Sequence, residues 1–384
     1  MDLTLTEDQE LIRSTARGLL ESRGASAGAR AMADEPAGYS AALWKEMTEL
    51  GWTGLALPEA HGGLGAGFLE LCLVVEEMGR FQVPSPFLST VVCCGLPLAR
   101  FGTGAQQARW LGAIARGRVM SAVPGDWDGT GGGITAVERD GAYVLDGTAP
   151  FVPYAHAAED LLVVPGDGPA LLVDTASPGV VREPLDTIGA DRPHRVRFDG
   201  VSVPRDRALT AGRPVAEAID AYGATATCAA MVGAAQRVLD MTVAYAAERE
   251  QFGRPIGGFQ AVQHHCADMA VDVLSSRFMA YEAGWRLAEG LDAAAEVSMA
   301  KAWVSEACRR VCDTGHQVHG AIGFTREYAL HRHSLDLLRW RDDLQLLRGG
   351  ELRAAERLGD AAIAAGGVWR AVTALMKAEI GRST

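Results

Sequence analysis

The sequence is poor in positive charge. Its 36 Lys and Arg stand against 48 acidic residues, a formal net charge of −12, so no excess of basic surface is available to neutralise a nucleic-acid backbone. Cysteine lacks any pairing pattern: Cys72, Cys93, Cys94, Cys228, Cys266, Cys308 and Cys312 make an odd count of seven without a C-x-x-C. That speaks against a disulfide framework and a zinc ribbon and for a reducing cytoplasm. Histidine lacks the i, i+4 spacing of helical zinc ligands, since His264 and His265 are adjacent and His331 and His333 two apart; no metal is expected. Long apolar runs are missing too. The most apolar window, 87–99, is interrupted by Ser89, Thr90, Gly95 and Pro97 and is too short to span a bilayer. Glu7, Asp8 and Glu10 stand where a signal peptide would carry positive charge. The expectation is a soluble cytoplasmic protein with neither a nucleic-acid nor a membrane partner.

What is present is length, and a change of pattern along it. The 384 residues suffice for two or three cores. Residues 1–116 read as an N-terminal helical domain. Thr6 is a plausible cap, Leu11, Ile12, Ala16, Leu19 and Leu20 form one apolar face, Leu43, Met47 and Leu50 a second, and 68–78 a third helix. Gly62, Gly63 and Gly65 follow Pro58 without the strand-Lys-Ser/Thr context of a phosphate loop, so they read as a turn. Residues 117–210 change to short β runs, at 143–145, 161–164, 170–173 and 196–203, with a hairpin turn at 166–168. Antiparallel structure is expected, because no helical run separates these strands and no G-x-G-x-x-G follows one. Residues 211–384 return to helices, with breaks at Gly349, Gly350 and Gly366, and with Ala229, Ala230, Gly233 and Ala234 letting axes approach closely. The class is α+β, mostly α: helical domain, antiparallel β-barrel or sandwich, and four-helix bundle. Abundant Ala, Arg and Gly fit a bacterial source.

The organising stretch is 249–269, REQFGRPIGGFQAVQHHCADM. It joins a long Ala-rich helix (Val215, Ile219, Val232) to a second one, whose apolar positions Phe259, Val262, Met269, Val273 and Leu274 keep three-and-four spacing. Read from local chemistry, Arg249, Gln251, Phe252 and Gly253 are either a solvated turn or a binding loop. The stretch resembles the signature of the acyl-CoA dehydrogenase family. So do QVHGAIGF at 317–324, continued by Glu327 and Tyr328, and the PE-x-x-GG-x-G wording at 58–65. The resemblance covers nearly the whole chain. It implies that Arg249, Gln251 and Phe252, with Gln317, Gly320 and Gly323, reach the diphosphate and adenosine of an FAD held by a neighbouring subunit. A guanidinium fork matches paired phosphate oxygens.

The family's reaction needs a carboxylate for the α-proton of an acyl thioester, and here the chain departs from the pattern. Gly223 falls at one of the two family positions for that Glu, and Arg348 near the other, in QLLRGGELR. Asp220 and Glu351 are the substitute candidates; a cation at Arg348 would hold an enolate but not take a proton. The segments that would hold the flavin ring read Ala122-Val123-Pro124 and Phe151-Val152-Pro153, where proline offers no N–H and alanine no hydroxyl. Three readings follow: an FAD-dependent dehydrogenase of an acyl-CoA or acyl-carrier-protein thioester, working as a homo-oligomer; a clamp subunit similar to the base-less subunit of heteromeric actinobacterial acyl-CoA dehydrogenases, needing a homologous partner; or a flavin oxygenase or non-redox lyase on the same fold. His316 and His319, one turn apart beside the implied clamp, read as hydrogen-bonding or surface residues and not as metal ligands.

Overall fold

The computed structural model describes residues 4–23, 36–124, 133–187, 192–209, 212–325 and 327–342. The chain divides into two compact units, Leu5–Ala226 and a second from Thr227 onward.

In the first unit, α1 (Glu7–Ser22) starts at Thr6, whose hydroxyl accepts from the Gln9 N–H while the Gln9 amide oxygen accepts from the Thr6 N–H. That reciprocal cap satisfies two otherwise orphaned donors. Ala16 and Leu20 are its buried residues, whereas Leu11, expected on the same face, is 64% exposed. Helix α2 (Ala41–Glu49) buries Trp44 and Met47, and the Trp44 ring N–H donates to Gly117 O; Leu50, expected to join them, lies on the surface. Helix α3 (Phe68–Arg80) is buried along most of its length, and its Glu77 meets the Arg17 guanidinium at 2.6 Å. The glycine turn before it is packing geometry. A Cβ on Gly63 would lie 2.1 Å from Leu57 O, and Gly62 and Gly65 have φ of 83° and 67°, a region L side chains avoid.

The apolar window forms a π-helical segment, Leu88–Gly95, followed by α4 (Leu96–Phe101) and α5 (Gly104–Ala115). The Thr90 hydroxyl fixes this segment to the first strand, donating to Met120 O and accepting from Met120 N–H. The strands are β1 (Met120–Pro124), β2 (Ile134–Arg139), β3 (Ala142–Val152), β4 (Asp160–Val164), β5 (Leu171–Asp174), β6 (Val180–Pro184) and β7 (His194–Pro204). They form two sheets, β1-β4-β5 and β2-β3-β7-β6. The expectation of antiparallel structure needs one correction: β1 pairs with β4 in parallel. The long connection from Pro124 to Asp160, which contains the β2–β3 hairpin, permits the crossover that a parallel pair requires. Helix α6 (Arg213–Glu248) then begins, with Val215 and Ile219 buried and the Tyr222 ring edge-on to Phe68 at 4.9 Å.

In the second unit, α6 continues into a hairpin of β8 (Glu250–Gln251) and β9 (Arg254–Pro255), then α7 (Gln260–Ala288), α8 (Ala294–His319) and α9 (Leu330–Asp342). Met231, Val238, Met269, Val273, Val304 and Val311 meet in its core. Ala229, Ala230 and Ala234 are buried beside them, which allows close helix packing. Leu274 is a correction: with Val271 and Phe278 it lies on the exposed side of α7, because the buried face there is the narrower Met269, Val273 and Ala280 row. The last described helix ends at Asp342, and the expected breaks at Gly349, Gly350 and Gly366 lie outside the described residues.

Candidate active site and cofactor clamp

The connection between α6 and α7 is a hairpin and not a plain loop. Its two pairs, Glu250 with Pro255 and Gln251 with Arg254, leave Phe252 and Gly253 as the two turn residues, both with positive φ, 54° and 77°. Such a turn suits the right-handed twist of short strands, yet it favours Asn or Gly, and an aromatic there is strained. Phe252 is 93% exposed; its ring touches Phe259 edge-on at 6.1 Å, and the Arg254 guanidinium covers Phe259 at 4.1 Å. Arg249 is exposed at the hairpin's base, its N–H donating to Tyr245 O and its carbonyl accepting from Ile256. The Gln251 amide donates to Glu250 O, and the rest of that side chain faces outward. Phe252 thus combines a positive φ with a surface position, flanked by Gln251 and Gly253 and three residues after Arg249.

The 317–324 motif caps α8. Gln317 is exposed on the last turn and Gly320 leaves the helix at φ 64°. Gly323 is buried so closely that a Cβ would meet His316 Nδ1 at 3.0 Å and Leu330 at 3.1 Å. The Ser334 hydroxyl donates to Leu330 O, so His316 Nε2–H donates to Ser334 Oγ at 2.8 Å, and the His316 ring stacks on the exposed Phe324 at 4.3 Å. His319 is buried. Its Nδ1 lies 2.8 Å from Gly315 O, and a carbonyl only accepts, so Nδ1 carries the proton and Nε2 accepts from the Tyr328 hydroxyl at 3.0 Å. Burial holds both imidazoles below their ordinary range, and it raises the Tyr328 phenol.

The same ring joins the two motifs. Tyr245, one turn before Arg249, stacks on His319 at 4.6 Å with the planes 21° apart. Arg249 and Gln317 therefore extend from one end of the bundle, each within a turn of a single aromatic cluster. Tyr245 was not singled out in the sequence. Its only signal is its place four residues before Arg249, on the same side of the last turn.

The residues read as chemistry-bearing are distributed differently. Asp220 is half-buried on α6 in the first unit, one turn before Gly223, which is buried. Arg348 and Glu351 lie outside the described residues. The two segments read as flavin-ring contacts are fastened to each other, for the Ser121 hydroxyl donates to Pro153 O. Ala122, Val123 and Val152 are buried, while Phe151 is 41% exposed. Among the described residues no group of three or more His, Cys, Asp or Glu is placed to hold a metal ion. No helix among them is long and apolar enough to cross a membrane.

A three-part chain of helices, sheets and helices, with an exposed Arg-Gln-Phe hairpin beside a glycine-capped helix, is the layout of an acyl-CoA dehydrogenase. The family's sequence models match residues 6–118 (acyl-CoA dehydrogenase, N-terminal domain) and residues 210–341 (acyl-CoA dehydrogenase, C-terminal domain). Acyl-CoA dehydrogenase FadE27 of Mycobacterium tuberculosis is 34% identical over 306 residues, 76% of this chain and 81% of that protein. The probable acyl-CoA dehydrogenase YngJ of Bacillus subtilis is 30% identical over 356 residues, 86% of this chain and 93% of its own. Among solved structures, the ChsE4-ChsE5 complex from Mycobacterium tuberculosis superposes with a TM-score of 0.88 at 30% identity, covering 94% of this chain and 99% of the matched one. A variant of the Tcur3481-Tcur3483 steroid ACAD does so with 0.85 at 30% identity, covering 94% and 100%. The chain belongs to the acyl-CoA dehydrogenase family.

Proposed function

We propose that this chain is a subunit of an FAD-dependent acyl-CoA dehydrogenase that introduces an α,β double bond into an acyl thioester, and that its hairpin completes the FAD site of an adjoining subunit. One observation carries the reading: Phe252, exposed and strained, stands beside a free-facing Arg249 at the same bundle end as Gln317 and Gly323. This donor set fits a diphosphate, since the guanidinium supplies a fork of charge-assisted hydrogen bonds and the two amides neutral ones. Phe252 supplies an apolar face for the adenosine. Bound FAD supplies the hydride acceptor for the β-carbon. What the chain's own residues must add is a carboxylate for the α-proton, and of the candidates Asp220 is the one within the described residues.

A second reading is favoured by the ring-facing segment. With the Ser121 hydroxyl donated to Pro153 and Ala122 and Val123 buried, these side chains offer no donor to a flavin ring, and Gly223 carries no side chain to act as a base. On this reading the chain clamps the cofactor, and a homologous partner holds the ring and supplies the base; the similar ChsE4-ChsE5 structure is itself a complex of two proteins.

Expression alone and together with a homologous subunit, followed by visible spectroscopy, tests both. A yellow protein bleached anaerobically by an acyl-CoA, with bleaching abolished in Asp220→Asn, supports the self-sufficient enzyme. Colour and bleaching that arise only in the mixed assembly support the clamp subunit. A steroid acyl-CoA is the first thioester to try, given the steroid ACAD among the similar structures. A yellow protein that no thioester bleaches in either preparation, but whose reduced flavin reacts with oxygen, would contradict the dehydrogenase assignment and favour an oxygenase on this fold.

A further inference from the structure

The aromatic cluster that joins the two motifs is richer than a helix end needs. A buried imidazole at that point could be replaced by any apolar ring if packing were its whole task. Instead His319 is fixed at both nitrogens, by Gly315 O on one side and by the Tyr328 hydroxyl on the other, and stacked against Tyr245 on its face. Each contact leads to a different part of the clamp. Gly315 lies on the final turns of α8 that present Gln317. Tyr328 follows the Gly320–Phe324 turn. Tyr245 lies in the last turn of α6, one turn before Arg249, whose N–H donates to its carbonyl at 2.8 Å as any helical turn does.

The geometry points to His319 as a positioning residue: we infer that its neutral ring, with the proton on Nδ1, seats the Arg249 hairpin against the 317–323 turn, so that guanidinium and amide address one diphosphate. The inference rests on the FAD reading above. It assigns to Tyr245, His319 and Tyr328 a task in cofactor affinity that none of them performs by touching the cofactor. A ring that only packs would tolerate loss of its hydrogen bonds. A ring that sets the angle of the hairpin would not, because the clamp's two halves come from separate helix ends and share no other cluster of this kind among the described residues. Positioning errors of a fraction of an ångström weaken bidentate contacts sharply.

The test is the Kd for FAD, with ADP as a second probe that carries the diphosphate and adenosine alone. It is measured on the flavin-stripped assembly in which the chain holds FAD, alone or with a homologous subunit. Tyr328→Phe, which deletes one oxygen atom, should weaken FAD and ADP by roughly fivefold, the scale of one hydrogen bond. His319→Leu should weaken them by roughly tenfold or more, as two are lost. His319→Gln, whose side-chain amide can again donate on one side and accept on the other, should recover most of the loss. Arg249→Ala serves as the reference. If it weakens both ligands while the Tyr328 and His319 variants bind as wild type, the positioning role is overturned and the FAD reading survives. If Arg249→Ala leaves both unchanged, or no assembly binds FAD, the reading beneath falls and the inference with it. Should His319→Leu fail to fold, Tyr328→Phe and His319→Gln decide alone: weakening by the first with near-normal binding by the second supports the role, and any other pattern refutes it.

Discussion

At the scale of single residues, the bundle end that carries Arg249 and Gln317 is defined by two opposite kinds of glycine. Gly253 and Gly320 adopt backbone angles that other residues resist, 77° and 64°, with open space where a Cβ would go. Gly323 has no such angle but no room either, with His316, Leu330 and His319 all within 3.2 Å of a Cβ. Gly323→Ala should therefore destabilise the bundle by about 1–3 kcal/mol through overpacking, seen as a lower denaturant midpoint at unchanged slope. Gly320→Ala would act through backbone strain instead, by about 1–3 kcal/mol, since φ 64° with ψ −143° is a region left almost entirely to glycine. A Gly323→Ala variant as stable as wild type would mean that the turn around His316 is looser than its packing indicates. The candidate base, Asp220, stands on different ground. It is a carboxylate where the helix places Gly223 one turn on, and loss of bleaching in Asp220→Asn with thioester affinity intact is the signature expected of a proton acceptor.

At the scale of elements, the β8–β9 hairpin trades stability for an exposed aromatic. Asn is the residue that a two-residue turn with both φ positive favours at its first position, and Phe252 occupies it. Phe252→Asn should stabilise the second unit by about 0.5–1 kcal/mol while weakening FAD, two effects of opposite sign from one substitution. If stability and affinity both fall, Phe252 is packed in the assembly for structural reasons alone. This turn was not legible in the sequence, because Phe-Gly is not a hairpin signal; only the resemblance marked it. Elements with strong local chemistry were legible. The Thr6 cap and the α6 core residues Val215, Ile219 and Val232 sit where spacing put them. Leu11, Leu50 and Leu274 show the limit of that spacing, since periodicity says that a face is apolar but not how wide a neighbour covers it. The π segment at 88–95 and the parallel β1–β4 pair leave no mark on composition at all, for both are choices of hydrogen-bond partner within apolar stretches. Of the candidate site, the residues singled out in the sequence include Arg249, Gln251, Phe252 and Gln317, which lie on the surface, and not Tyr245, which only the packed bundle brings to His319.

At the scale of the whole molecule, buried and half-buried histidines couple stability to pH. His194, His316 and His319 are each held below the ordinary imidazole value of 6.5, burial being the largest cause in all three. The unfolded chain therefore binds protons that the native chain refuses. Stability rises with pH through the window beneath 6.5, is fully present above it, and is lost as pH falls from 6.5 towards the native values. Urea midpoints taken at pH about 7.5 and about 5.5 should differ in that direction, and a flat or inverted profile would show that other groups outweigh these rings. The assembly is the other whole-molecule property, because the proposed clamp faces outward and on that reading would act on a neighbour's cofactor. The measurement that bears on this most directly is the FAD affinity of Arg249→Ala in the intact, flavin-stripped assembly, with oligomeric state and helix content recorded alongside. The account predicts a Kd raised by roughly tenfold or more, as for loss of a charge-assisted pair, with the same oligomer and the same fold. An unchanged Kd in an unchanged oligomer would contradict it.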